Sequence, residues 1–176
     1  MSARRLTIGE INALDRDAFV ERLGSVFENS PWIAATAWPL RPFSSRQALH
    51  RAICDVADRA SPAQQLALIQ AHPDLVGQAA VAGTLTRTSS AEQAAAGLDL
   101  YRLSKEERAA FATNNHGYRE RFGFPFVICA RENKKATILA GFAARLEHDR
   151  EQEIGIALAE IAKIAHYRLV DLVAEG

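Results

Sequence analysis

DREQEIGIALAEIAKIAHYRLVDLVA, residues 149–174, is the stretch whose reading decides the fold. Ile154, Leu158, Ile161, Ala165, Leu169 and Leu172 recur every three or four residues, so a helix places them on one stripe. Asp149 can accept from the free amides at the start, with Gln152 reaching back from the third position. The spacing therefore predicts a helix over about 150–174, preceded by another over about 136–147.

Working outward, the same start signals repeat. Ser104 with Glu107 opens a helix that carries Phe111, Asn115, Tyr118 and Phe122 and stops at Gly123. Thr7 with Glu10 opens one near the start of the chain. Asp15 or Asp17 caps a second, with Phe19, Leu23, Val26 and Phe27 on one face. Ser45 begins a third, running to about 59 with Leu49, Ile53 and Val56 at helical spacing, and Ser61-Pro62 a fourth. Ser30-Pro31 reads as the opening of a short turn containing Trp32 and Trp38, closed by Pro39 and Pro42.

Phe124-Pro125-Phe126-Val127-Ile128-Cys129-Ala130 is the one stretch that reads as extended, being β-branched, aromatic and too short for a helix. It has no second strand to pair with, so side chains, a loop or a ligand must satisfy its backbone. The expectation is an all-α, single-domain bundle over 1–176, with about eight helices and one short extended segment near 124–130.

With 176 residues the chain can bury a core, and 48% of it is hydrophobic. The 21 basic and 21 acidic residues are interleaved along the polar faces, which leaves no basic patch for nucleic acid and no general attraction to an anionic membrane. No segment has the roughly 20 apolar residues needed to span a bilayer. Cys54 and Cys129 lie far apart in apolar company and read as buried thiols of a reducing compartment. Without a signal peptide in the first residues, a cytoplasmic location is expected.

Chemistry points first to Ala71-His72-Pro73-Asp74-Leu75. Pro73 cannot continue the helix begun at Ser61 and pushes His72 out of the α region. An imidazole there feels the negative end of the helix dipole and titrates near neutrality, which suits proton transfer. On this segment alone the position reads first as a helix cap whose ring binds the last carbonyls.

After it, a small, hydroxyl-rich connector runs to Ser89-Ser90-Ala91-Glu92-Gln93, an expected helix start. Glu92 can then be the third-position partner of a Ser89 capping box, or the same helix start can cradle an anionic ligand with Ser89 and Gln93. Arg145 sits beside Ala143 and Ala144, where small neighbours let a guanidinium reach inward to a carboxylate, although by itself the position reads first as a solvated surface arginine. His50, His116 and His166 read as solvated and receive no role.

His72-Pro73, Ser89-x-x-Glu92-Gln93 with Ala96-Gly97-Leu98-Asp99, Phe122 through Ile128, and Arg145-Leu146 occur in an order that resembles the OHCU decarboxylases. These are the 2-oxo-4-hydroxy-4-carboxy-5-ureidoimidazoline decarboxylases of the urate-to-allantoin pathway, and the resemblance covers nearly the full length. It implies an all-helical homodimer without cofactor or metal. His72 becomes the catalytic histidine, Glu92 its partner carboxylate, and Arg145 the family's arginine. Pro73, Ser89, Ser90, Ala91 and Gln93 become substrate contacts, together with backbone groups of Phe126, Val127, Ile128, Cys129 and Ala130.

One departure is His148, where the family pattern Arg-Leu-x-Asn-Asp has asparagine. Two other classes are carried forward. His148-Asp149 is similar to the paired ligands of metal-dependent HD phosphohydrolases, and the Trp32 to Trp38 region could be the exposed apolar face of a non-catalytic interaction domain.

Overall fold

The computed structural model describes residues 4–175 and divides the chain into two compact units, Met1–Ala71 with Ala162–Gly176, and His72–Ile161. Among the described residues there are ten α-helices, one 3₁₀ turn and no strand beyond a single bridge pair, Leu6 with Val173. The count exceeds the expected eight, and two unanticipated short helices account for the excess.

The first unit holds α1 (Ile8–Ala13), α2 (Arg16–Leu23), α3 (Trp32–Ala37), α4 (Arg46–Asp58) and α5 (Pro62–Gln70), with the later part of α10 (Arg150–Leu172). Thr7 and Glu10 form the expected capping box, Asp15 caps α2 through the amide of Ala18 at 2.9 Å, and Ser45 and Ser61 cap α4 and α5. Ile11, Phe19, Leu23, Ile33, Leu49, Ile53, Leu68 and Leu169 make the core. Val56 is only half-buried, and Ala57 takes the inward position on α4 instead.

The Pro31 region departs from the expected turn: α3 starts there without a side-chain cap and runs into the 3₁₀ turn Trp38–Leu40. Both tryptophans are half-buried, and Trp38 Nε1 donates to the Leu14 carbonyl at 3.2 Å under the Arg41 guanidinium. The Trp32 to Trp38 region is thus not the exposed apolar face that an interaction domain needs. His50 is also not simply solvated, since its Nε2 donates to the Ala162 carbonyl at 2.8 Å.

The second unit holds α6 (Gln78–Val81), α7 (Arg87–Ala95), α8 (Lys105–Phe122), α9 (Lys135–Arg145) and the start of α10. Helix α8 buries Phe111, Asn115, Tyr118 and Phe122, the face read from the sequence, and ends on Gly123 at φ +78°, where glycine escapes the Cβ penalty. Phe126 stacks on Phe142 at 3.9 Å, with the Tyr118 ring 5.3 Å from Phe126. Residues 125–129 carry no regular secondary structure and run through this aromatic core.

Asp149 and Gln152 cap α10 reciprocally at 2.8 and 2.9 Å. Within this unit α10 turns Glu153, Ala157 and Ile161 inward, so the buried face includes a carboxylate that the apolar stripe did not contain.

Candidate active site

Every residue nominated for chemistry falls in the second unit. His72 follows the C-cap residue and does not occupy that position itself. Helix α5 ends at Gln70, Ala71 is its C-cap, and the imidazole lies beyond it in a bend, 6% exposed. The helix stops before Pro73, which has no amide with which to continue it.

Helix α7 also differs from expectation. Thr86, not Ser89, is its N-cap, accepting from the Ser89 amide at 3.2 Å. Ser89 is therefore at the third position, and Glu92 lies in the body of the helix, where a capping box cannot explain it. Helical spacing turns Ser89, Gln93 and Ala96 inward, leaves Glu92 half-buried, and exposes Ser90 and Ala91. As side chains, Ser90 and Ala91 do not share the inward face.

Gln93 ties α7 to the loop that follows His72. Its Oε1 accepts from the Val76 amide at 3.0 Å, so the helical turn that carries Glu92 is bonded to the segment that carries the histidine.

The 124–130 segment receives the side-chain partners that its sequence demanded. Arg145 Nη1 donates to the Val127 carbonyl at 2.6 Å, Glu160 accepts from the Cys129 amide at 2.8 Å, and Asn133 donates to the Cys129 carbonyl at 3.0 Å. Phe126, Val127, Cys129 and Ala130 are buried, and Ile128 and Pro73 are half-buried.

Arg145 is 8% exposed and lies over the Phe126 ring at 4.3 Å. Its Nε donates to Glu153 at 2.8 Å and its Nη2 to the Tyr118 hydroxyl at 3.2 Å. Glu153, at 0% exposure, also accepts from Tyr118 and lies 2.7 Å from His148 Nδ1. Burial, then the hydrogen bond to Glu153, pushes the Tyr118 phenol well above its usual range, so it serves as a neutral donor, with Arg145 opposing the shift.

Reading the sequence had given Glu153 and Tyr118 no role. The signal that could have found Glu153 is its four-residue spacing to the buried Ala157 and Ile161. An acid at that spacing needs a buried cation.

The metal reading of His148-Asp149 finds no support in the donor set. Asp149 is used as a helix cap, His148 faces Glu153, and no group of three or more His, Cys, Asp or Glu side chains able to hold a metal occurs among the described residues. A cavity of about 660 Å³ opens beside the loop, lined by Asp74, Val76, Asn115, His116 and Arg119 among others, and none of the nominated residues lines it.

Comparison with known proteins supplies the rest. The sequence profile of the family described as OHCU decarboxylase matches residues 12–170. The chain is 39% identical to the 2-oxo-4-hydroxy-4-carboxy-5-ureidoimidazoline decarboxylase of Halalkalicoccus jeotgali, over 96% of this chain and 92% of that one. It is 40% identical to the mouse (Mus musculus) protein of the same name, over 93% and 90%. A crystal structure of (S)-allantoin synthase superimposes with a TM-score of 0.75 at 26% identity, covering 96% of this chain and 54% of that one.

Proposed function

The chain belongs to the OHCU decarboxylase family, and we propose that it converts OHCU to (S)-allantoin with His72 as acid and base and Glu92 as its partner. The activity is that of a carboxy-lyase in urate degradation. The observation that supports this use of the residues is the bond from the Val76 amide to Gln93, which couples the histidine loop to the α7 turn bearing Glu92.

The chemistry suits these groups. The substrate carries a carboxylate and a hydroxyl on one carbon, beside a ring carbonyl and a C=N bond. When the carbon–carbon bond to the carboxylate breaks, carbon dioxide leaves and the electron pair enters the ring's own conjugation, so no electron-sink cofactor is required. Glu92 orients and polarises His72, which handles the hydroxyl proton. The carbon that lost carbon dioxide becomes the product's carbonyl as its hydroxyl proton leaves, and protonation of the adjacent ureido-bearing carbon on one face gives the S product. Proton-transfer help of this kind contributes roughly a hundredfold to ten-thousandfold. Arg145 and Gln93 hold polar groups of the ring or ureido arm, and amides of the 126–130 segment bind its oxygens.

The substrate also decays unaided to racemic product, so the test is chiral. OHCU is generated from urate, protein is added, and circular dichroism follows the appearance of one-handed allantoin. The wild-type protein gives the S hand. A folded His72→Asn variant loses at least a hundredfold in rate, and full retention of rate refutes the assignment.

The protein acts in this reading as a cytoplasmic homodimer. Support for the location is two free thiols, Cys54 half-buried and Cys129 buried, which suit a reducing compartment. Support for a second copy is apolar surface on the second unit, where Tyr101 is 99% and Val81 72% exposed.

A further inference from the structure

The loop after His72 contains one peptide group held at both ends by buried carboxamides. Asn115 Nδ2, from α8, donates to the Leu75 carbonyl at 2.8 Å, and Gln93 Oε1, from α7, accepts from the Val76 amide at 3.0 Å. The carbonyl and the amide belong to the same peptide bond, and the two side chains are 7% and 5% exposed.

The residue that follows is in an unfavourable conformation. Val76 has φ +53°, in the left-handed region that β-branched side chains avoid. The other non-glycine residue with positive φ among those described is Asn29, of a type that tolerates it.

The neighbouring residues allow the loop little freedom. Arg119, one helical turn beyond Asn115, donates from Nε to both Asp74 oxygens at 2.9 Å. A Cβ on Gly77 would lie 2.6 Å from the Asp74 Cβ, so the turn closes only with glycine there.

Asn115 itself is costly to keep. Its Oδ1 is buried with no hydrogen-bond partner, a loss that an apolar residue of similar size would avoid. What it supplies in return is the single donor to Leu75.

We propose that Asn115 is a positioning residue for His72: by gripping the 75–76 peptide it holds Val76 in the left-handed turn and so fixes the course of the loop that carries the imidazole. Gln93 takes the other end of the same peptide and registers that loop against the α7 turn bearing Glu92. The inference rests on the reading that His72 and Glu92 carry the proton transfer.

The test is a rescue. Asn115→Ala frees the peptide, Val76 relaxes toward negative φ, and kcat falls by about tenfold to a hundredfold, the scale of an ångström's misplacement, while KM changes little. Adding Val76→Gly, which takes the left-handed turn without penalty, restores kcat at least about fivefold. A merely structural Asn115 makes the opposite prediction, because glycine in a loop otherwise loosens it further. An Asn115→Ala protein with unchanged kcat, or a double variant no faster than the single, overturns the proposal.

If Asn115→Ala does not fold, Val76→Gly alone decides. Relief of strain at Val76 offsets the lost burial of its side chain, so the thermal midpoint should stay within about 4 °C of wild type, and a larger fall overturns the proposal. His72→Asn separates the two claims. If it stays fully active, the catalytic reading fails while the Val76→Gly midpoint still reports on the clamp. If it is inactive and no rescue occurs, the clamp fails and the catalytic reading stands.

Discussion

Replacing Glu153 with leucine should be among the most damaging single changes in the second unit. Its carboxylate is 0% exposed and takes Arg145 Nε at 2.8 Å, the Tyr118 hydroxyl, and a contact with His148 Nδ1 at 2.7 Å. Leucine fills the space but leaves the Arg145 guanidinium buried with two neutral acceptors, the Val127 carbonyl and the Tyr118 oxygen, and no counter-charge. Breaking a buried pair in this way costs about 3–5 kcal/mol. At this chain length that lowers the thermal midpoint by about 6–20 °C.

Glu153→Gln should lose roughly 1–2 kcal/mol, because the amide can keep an oxygen on Arg145 and turn its NH₂ toward His148. The double change Glu153→Leu with Arg145→Met removes both charges and should recover to within about 2 kcal/mol of wild type. Its Val127 carbonyl has nevertheless lost its donor, so decarboxylase activity stays low. Urea unfolding of the four proteins, read beside the chiral assay, checks the set. A Glu153→Leu protein within about 1 kcal/mol of wild type, or a double variant no more stable than the single, refutes the reasoning.

Further outcomes concern the thiols and the proposed dimer. Burial, with Asp58 and Asp55 adding, pushes the Cys54 thiol from 9.0 up to about 12, and burial raises Cys129 as well. The unfolded chain gives up these protons first. The contribution of Cys54 to stability is therefore fully present below about pH 9 and is lost as pH rises toward about 12, and that of Cys129 is lost in the same direction. At pH 8, iodoacetamide should label Cys54 in the native protein roughly a hundredfold more slowly than in urea, by mass spectrometry, and equal rates would contradict the burial. Light scattering should give twice the 19.3 kDa chain mass. Tyr101→Glu should weaken that association by roughly tenfold, the effect of a charge in an apolar contact, and a monomeric wild type would end the dimer reading.

Much of the fold was legible because its helices announce themselves in local chemistry. Thr7-Glu10, Ser61-Gln64, Ser104-Glu107 and Asp149-Gln152 are reciprocal caps in the structure, and the Phe111, Asn115, Tyr118, Phe122 face of α8 is buried as its spacing requires. Helices α3 and α6 were not legible, since neither has a side-chain cap and, at 6 and 4 residues, neither is long enough to show a periodic apolar stripe. The start of α7 was misread because 84–90 offers several hydroxyls, and tertiary packing of Ser89 and Gln93 selects Thr86 as the cap. At the site, the place of His72 after α5 was visible through Pro73. The buried acid Glu153 was hidden, and so was the partner of Asn115, because each is a polar residue on an otherwise apolar face whose reason lies in a segment distant in sequence.

That pattern explains why a helical protein can keep an unpaired backbone segment at its proposed site. A neighbouring strand would take backbone groups all along one edge of 124–130, whereas Arg145, Glu160 and Asn133 take chosen atoms: the Val127 carbonyl and both polar groups of Cys129. None of those bonds uses the amides of Phe126 or Ile128. Side chains fixed on α9, on α10 and beside them can thus hold the segment in place, and in the proposed reading other backbone groups of the segment meet the substrate. The cost of this arrangement is a buried charge that must itself be neutralised, and Glu153 neutralises it. The departure at His148 falls at the outer edge of that pair, where its ring meets the second oxygen of Glu153. A change at His148 should therefore alter stability more than turnover, whereas a change at Arg145 should alter both.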